Sequence, residues 1–171
     1  MMDSLPKRNL KEAHPAKKES DPGAAAAQSG ADEPAAHLDH WSAAVLLERA
    51  VHLRKLARHG DGAATETLKE YPRHCAMLLF RSRNGGAEVH EEFADVFYVL
   101  DGHATLVTGG SVSEAEQIGP GEVRGSTVEG GARQQLRAGD VAHVPAGVPH
   151  QMLLAVEETV TCLVMKVRES S

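Results

Sequence analysis

Four side chains in this sequence have the types and spacing to hold a divalent metal ion: Glu88, His90, Asp95 and His150. Glu88 and His90 share a parity, so on a strand they project from one face. Asp95 opens the next strand after a turn through Glu91 to Ala94, which brings three donors to one hairpin. His150 follows Pro145-Ala146-Gly147, a turn that lets the chain re-enter as a strand at the histidine itself. Only a closed or sandwiched sheet can carry that distant strand to the first hairpin. Imidazole with carboxylate suits manganese, iron, nickel, copper or zinc, and two histidines with a carboxylate on one face leave positions open for substrate or oxygen. The extra carboxylate hardens the set, which favours manganese or iron(II) over copper. Asp95 is one methylene shorter than a glutamate, so it either reaches the ion or holds His90 or a bound water. Plainer roles compete at each position: a backbone-satisfied turn for His150, a solvated loop for His90, an exposed strand end for Glu88 and a turn cap for Asp95.

The same residues carry a family resemblance. Gly139, Pro145, Gly147 and His150 reproduce the spacing Gly-x5-Pro-x-Gly-x2-His. Upstream, Glu88 to Gly102 follows His-x-His-x3-4-Glu-x6-Gly, with Glu88 at the first histidine position and Asp95 at the glutamate position. In this order and spacing, the chain from Tyr71 to Val167 resembles a small single-domain cupin. Leu154 stands where the second family motif closes with asparagine. The resemblance implies an all-β fold, the double-stranded β-helix or jelly-roll barrel. It also implies a divalent transition metal (Mn, Fe, Ni or Zn) on Glu88, His90, Asp95 and His150. Cupins often pair through outer strands, so a homodimer is expected, with Tyr98 and Leu100 pointing outward.

The elements that must position these residues are legible as short apolar runs between glycine-bearing turns. Strands are expected at 73–83, 87–90, 95–100, 104–108, 122–128, 133–136, 141–144, 150–156 and 159–167, with Asn84-Gly85-Gly86, Gly109-Gly110, Gly119-Pro120-Gly121 and Gly130-Gly131 among the breaks. That cadence predicts an antiparallel sandwich or barrel. With Asp95 inward, parity turns Phe97 and Val99 inward; with His150 inward, it brings Met152 and Leu154. Phe97 and Met152 are therefore candidate substrate-binding residues. Arg124, between glycines in Gly121-Glu-Val-Arg-Gly125, either meets a substrate carboxylate or phosphate or lies in solvent. His143 is read as a packing residue or a support for a ligand, and His103 as exposed after a turn.

Before the strands, residues 39–59 have a helical pattern. Ser42 or Asp39 can cap it, Gly60 can end it, and Trp41, Ala44, Val45, Leu47, Ala50 and Val51 can share its apolar face. Gly60 to Ala64 is read as a loop and Thr65 to Glu70 as a further turn. Residues 1–36 are rich in Lys, Ala, Pro, Ser and Gly, with almost no large apolar residue after Leu10, a composition that favours a disordered tail. The expected organisation is thus a tail over 1–36, a helical segment over 37–70 and a barrel over 71–171.

Net charge and motifs narrow the function. The chain of 171 residues carries a net charge of −6, and its tail lysines alternate with acidic residues, so neither nucleic acid nor membrane is an expected partner. No apolar stretch approaches the roughly 20 residues needed to span a bilayer. A secretory core is also missing from the amino end, so a cytoplasmic location is expected, with export the alternative if a signal was removed. Cys75 and Cys162 form no CxxC pair and are read as free thiols or, second, as a bond between neighbouring strands. These features point to a metal-binding protein acting on a small polar organic molecule, as an oxygenase or as an isomerase or lyase. The alternative is a non-catalytic receptor for a small ligand with a degenerate metal site.

Overall fold

The computed structural model describes residues 38–169, so the expected tail over 1–36 lies outside the described residues. Among the described residues one helix, α1 (Ala43–Arg58), is followed by twelve strands: β1 (Ala63–Glu70), β2 (His74–Arg81), β3 (Ala87–His90), β4 (Phe93–Thr108), β5 (Ser111–Ser113), β6 (Glu116–Gly119), β7 (Glu122–Gly125), β8 (Thr127–Glu129), β9 (Ala132–Arg137), β10 (Val141–Val144), β11 (His150–Leu153) and β12 (Val160–Arg168). Every pairing is antiparallel, and the main sheet runs β1-β2-β12-β4-β11-β3-β7-β6, with β9 and β10 also on β4. Among the described residues, no helix is long and apolar enough to cross a membrane.

The barrel is made by β4, which belongs to both of its faces. Its first part pairs with β12 and β10, and its second part, from His103, pairs with β9 and β11. The corner is Gly102, at φ 78°, where a Cβ would lie 2.0 Å from the Thr159 carbonyl oxygen. Only glycine fits such a bend and such an approach. The two expected strands 95–100 and 104–108 are therefore one strand bent at this glycine.

Between the faces lies an apolar core that includes Leu79, Phe97, Val99, Leu106, Val144, Met152, Cys162 and Val164. Phe97, Val99 and Met152 are buried as their parity requires, and Tyr98 is 39 % exposed on the other face. Cys162 is free and buried, and burial pushes its thiol up to about 12; Cys75 is also free. No disulfide joins them.

Four local expectations need correction. The expected strand 122–128 is two strands, β7 and β8, broken at Ser126, and β8 pairs with β5 in a separate two-stranded sheet; the break follows Gly125, where a Cβ would lie 2.4 Å from the Ser113 carbonyl oxygen. Thr65 to Glu70 is not a turn but most of β1, an edge strand paired with β2. Its polar alternation suits a strand with one solvated side. The helix is capped by Ser42, whose hydroxyl accepts from the Val45 N–H, but the buried face is Leu46, Ala50, Leu53 and Ala57. Val45, Leu47 and Val51 are exposed, because the i, i+4, i+7, i+11 stripe of Leu46 is the one that meets Leu78 and Phe80. The same helix cluster takes in Leu100, so that residue is covered by α1 rather than presented to a partner.

Candidate metal centre

The first hairpin is built as its sequence demands. Glu88 and His90 stand on β3, Glu91 and Glu92 make the turn, and Asp95 follows on β4. The second motif is tied straight to the first. Gly147, at φ 75°, donates its N–H to the His90 carbonyl at 2.8 Å, and β11 then pairs with β3 so that His150 faces Glu88. Thus the Pro145 to Gly147 turn sets both the position and the register of His150.

Both imidazoles have their Nδ1 engaged away from the centre. His90 Nδ1 lies 2.7 Å from Glu122 Oε2, a cross-strand partner on β7, and His150 Nδ1 lies 3.1 Å from the Val148 carbonyl. As donors at Nδ1, the two rings turn the lone pairs of Nε2 inward, the arrangement usual for metal-bound histidine. Glu88 Oε2 is 3.4 Å from His90 Nε2, and Asp95 Oδ2 is 3.4 Å from the Nε2 of both His90 and His150. Glu88, His90 and His150 form a set in which each offers a ligand atom within 4.8 Å of the others; Asp95 stands against both rings but outside that set.

These separations fit a small cation. With metal–ligand bonds of about 2.1 Å, the edge of a tetrahedron is about 3.4 Å. Asp95 is 3 % exposed, and its Oδ1 is buried without a hydrogen bond, a costly state unless a cation faces it.

A cation of the chain does face it. Lys166, on β12, places its Nζ 3.0 Å from Asp95 Oδ1 and 2.7 Å from His90 Nε2. Such a nitrogen–nitrogen contact needs one donor and one acceptor: Lys166 donates when His90 is neutral, the state in which the imidazole can also take a metal ion. Burial opposes charge on each group, and the neighbours outweigh it. For Glu88, the hydrogen bond to His90 and the charge of Arg124 hold the carboxyl down at about 2. For Asp95, the hydrogen bonds to His150 and His90 and the Lys166 charge hold it well below the usual range. His90 is pushed up to about 9 by Asp95 and Glu88, against both burial and Lys166. All three shifts express a charged cluster kept in register by its own pairs.

The cluster forms one end of a cavity of about 230 Å³. Glu88, Asp95, His150, Arg124 and Lys166 line its polar part, with Met77, Leu79, Phe97, Met152 and Val164 on the apolar walls. Phe97 and Met152 are thus placed where parity put them, and Arg124 lines the cavity from β7 rather than from a solvent hairpin. Its guanidinium is 3.2 Å from Glu122 and 3.7 Å from Glu88, so it pairs with site carboxylates. His143 is corrected: its side chain is 54 % exposed and 3.9 Å from Glu169, with no contact to the cluster. His103 is exposed as expected and pairs with Glu158.

Sequence reasoning missed Lys166, Glu122 and Arg81. Lys166 had a signal, since it shares the inward parity of Cys162 and Val164 in an otherwise apolar strand. Glu122 had none, because only the β3–β7 register joins it to His90.

The fold defined by this strand order is the double-stranded β-helix, the fold found in cupin domains. Solved structures with a similar arrangement include the DMSP lyase DddQ from Ruegeria pomeroyi DSS-3, at 17 % identity over 65 % of this chain and 50 % of that one, TM-score 0.46. KdgF from Halomonas sp. matches at 16 % identity over 64 % of this chain and 84 % of its own, TM-score 0.46. The cupin domain of Cnp3 from Schizosaccharomyces pombe matches at 13 % over 63 % and 65 %, TM-score 0.47. The chain spans half the length of the DddQ chain. No family model matches the chain, and no curated protein matches it by sequence. At these identities and scores the likenesses carry nothing about chemistry, which must come from the residues themselves.

Proposed function

We propose that this is a metal-dependent cupin that acts on a small polar organic molecule, with Glu88, His90 and His150 as ligands and Asp95 as a fourth ligand or a support for both rings. The observation that carries it is the convergence of one ligand atom each from Glu88, His90 and His150 within 4.8 Å. Manganese, iron, nickel or zinc suits this set, and the ion would supply Lewis acidity or an oxygen-binding centre. The chain supplies the rest. Glu122 fixes the His90 tautomer, the Val148 carbonyl fixes that of His150, and the apolar walls exclude water from the ligand. Phe97 and Met152 would orient the ligand's apolar part, while Asp95, where it is not bound to the ion, would move a proton in an isomerase or lyase reaction.

The test is metal content after purification without chelator, for wild type and a His90→Ala/His150→Ala double variant. Stoichiometric metal that is lost in the variant supports the reading. A wild type that holds no metal and takes none up sinks it.

One observation favours a second reading. Lys166 already sets a positive charge among the same donors, 2.7 Å from His90 Nε2. On this reading the ammonium serves permanently in place of an ion, and the barrel is a metal-free receptor for a small ligand. Failure of metal uptake with retained ligand binding would select it.

A homodimer belongs to the same proposal. Tyr98 and its cross-strand partner Val141, 65 % exposed, offer an apolar patch on the outer face. Light scattering on the purified chain decides between one and two copies.

A further inference from the structure

Each cavity-lining cation but one has a counter-charge. Arg124 has Glu122 at 3.2 Å and Glu88 at 3.7 Å, and Lys166 has Asp95 at 3.0 Å. Arg81, at the end of β2, lines the same cavity, and its side chain has no ion pair or hydrogen bond among the described residues. Its Nε is buried without a partner. The side chain shares the parity of Met77 and Leu79, which also line the cavity, so β2 aims it inward.

Its surroundings hold a flat group in place. A Cβ at Gly85 would lie 3.0 Å from Arg81 Cζ and Nη1 and 3.3 Å from Nη2, so the glycine leaves room for the guanidinium along the backbone. That backbone is fixed in turn. The buried Gln151 donates Nε2 to the Gly85 carbonyl at 2.8 Å, and the Gly85 N–H donates to the Met152 carbonyl at 2.8 Å. A guanidinium kept partly out of water without a partner is unfavourable by itself, and an anion that completes its hydrogen bonds repays that cost.

We propose that Arg81 is the recognition residue for a carboxylate of the ligand, so that the cavity takes a small carboxylic acid with an apolar body. The planar fork of arginine matches the two oxygens of a carboxylate. The walls of Met77, Leu79, Phe97, Met152 and Val164 match a hydrocarbon body, and about 230 Å³ is below the ~300–1,000 Å³ of pockets for drug-sized ligands. Charge agrees. Three carboxylates, Glu88, Asp95 and Glu122, balance Arg81, Arg124 and Lys166, so a divalent ion would leave an excess positive charge for an anionic ligand to offset. The inference deepens the proposed function and rests on this cavity being its ligand site.

The test is calorimetric titration with pentanoate and succinate, with pentanamide as the uncharged isostere of pentanoate and glycerol phosphate as the other anion. Wild type, Arg81→Met and Arg81→Lys are compared, each with and without manganese. Manganese alone is titrated in parallel. The expected result is binding of at least one carboxylate, none of pentanamide, and a loss of 10-fold or more in Arg81→Met with a smaller loss in Arg81→Lys. Manganese affinity should be the same in all three, since Arg81 touches no ligand atom. Arg81 has no protein partner to lose, so the variants should fold, and circular dichroism checks this. A carboxylate that binds wild type and Arg81→Met equally, tighter binding of pentanamide or glycerol phosphate, or no binding of either carboxylate overturns the proposal. Carboxylate binding that depends on Arg81 in a protein that takes up no manganese would keep it and remove the metal reading instead.

Discussion

Replacing Lys166 by methionine keeps the apolar stem of the side chain and removes its charged end. In the native chain the ammonium sits 2.7 Å from His90 Nε2 and 3.0 Å from Asp95 Oδ1. A divalent ion that takes the His90 lone pair must first detach it. A hydrogen bond to a charged group contributes about 1.5–3 kcal/mol net, and the displaced ammonium would also repel the incoming ion. Both effects have one sign. Lys166→Met should therefore tighten metal binding by about 10- to 100-fold, the factor that corresponds to the hydrogen-bond figure. Competition of zinc or manganese against a fluorescent chelator at fixed pH measures the change in Kd. The metal-free variant should also melt several degrees lower, because Asp95 loses its counter-charge, and gain more from added metal than wild type does. A metal Kd that is unchanged or weaker in Lys166→Met would refute the view that lysine and metal compete for one set of donors.

Other perturbations separate the parts of the site. Glu122→Ala removes the acceptor of His90 Nδ1–H and should weaken metal binding about 10- to 100-fold while ligand residues stay intact, as read by the same chelator competition. Gly102→Ala puts a Cβ 2.0 Å from the Thr159 carbonyl at the corner of β4, and urea denaturation should show a loss of more than about 2 kcal/mol. For metal-free protein, pH should act in two directions. Glu88, lowered from 4.5 to about 2, adds stability that is full above pH 4.5 and lost as pH falls toward 2, and Asp95 acts in the same sense. His90, raised from 6.5 to about 9, adds stability that is full below pH 6.5 and lost as pH rises through 9. Thermal melts across pH should peak between these limits, and Glu88→Gln should flatten the acid side; an acid side that keeps its slope in that variant would contradict the assignment.

The sequence disclosed most where chemistry and strand parity coincide within one short stretch. Glu88, His90 and Asp95 lie on one hairpin, and the Pro145 to Gly147 turn announces His150, so their meeting needed only a closed sheet. The barrel was legible for the same reason, since glycine-bearing turns marked most of the strand connections. What stayed hidden depends on pairing between distant strands. Glu122 reaches His90 through the β3–β7 register, and Arg81 reaches the cavity through the closure of β2 on β1 and β12. The polar run of β1 reads as a turn because an edge strand need bury only one side. The helix face was misread because alanine and leucine occur on several stripes, and only the position of Leu78 and Phe80 selects the one through Leu46.

X-ray absorption at the metal edge of manganese- or zinc-loaded protein tests the account most directly. Two imidazole nitrogens and at least one carboxylate oxygen at about 2.1 Å, with the imidazole scattering lost in His150→Ala, are expected if His90, His150 and Glu88 hold the ion. A shell of oxygen alone, unchanged by that substitution, would place any metal elsewhere and contradict the centre described above.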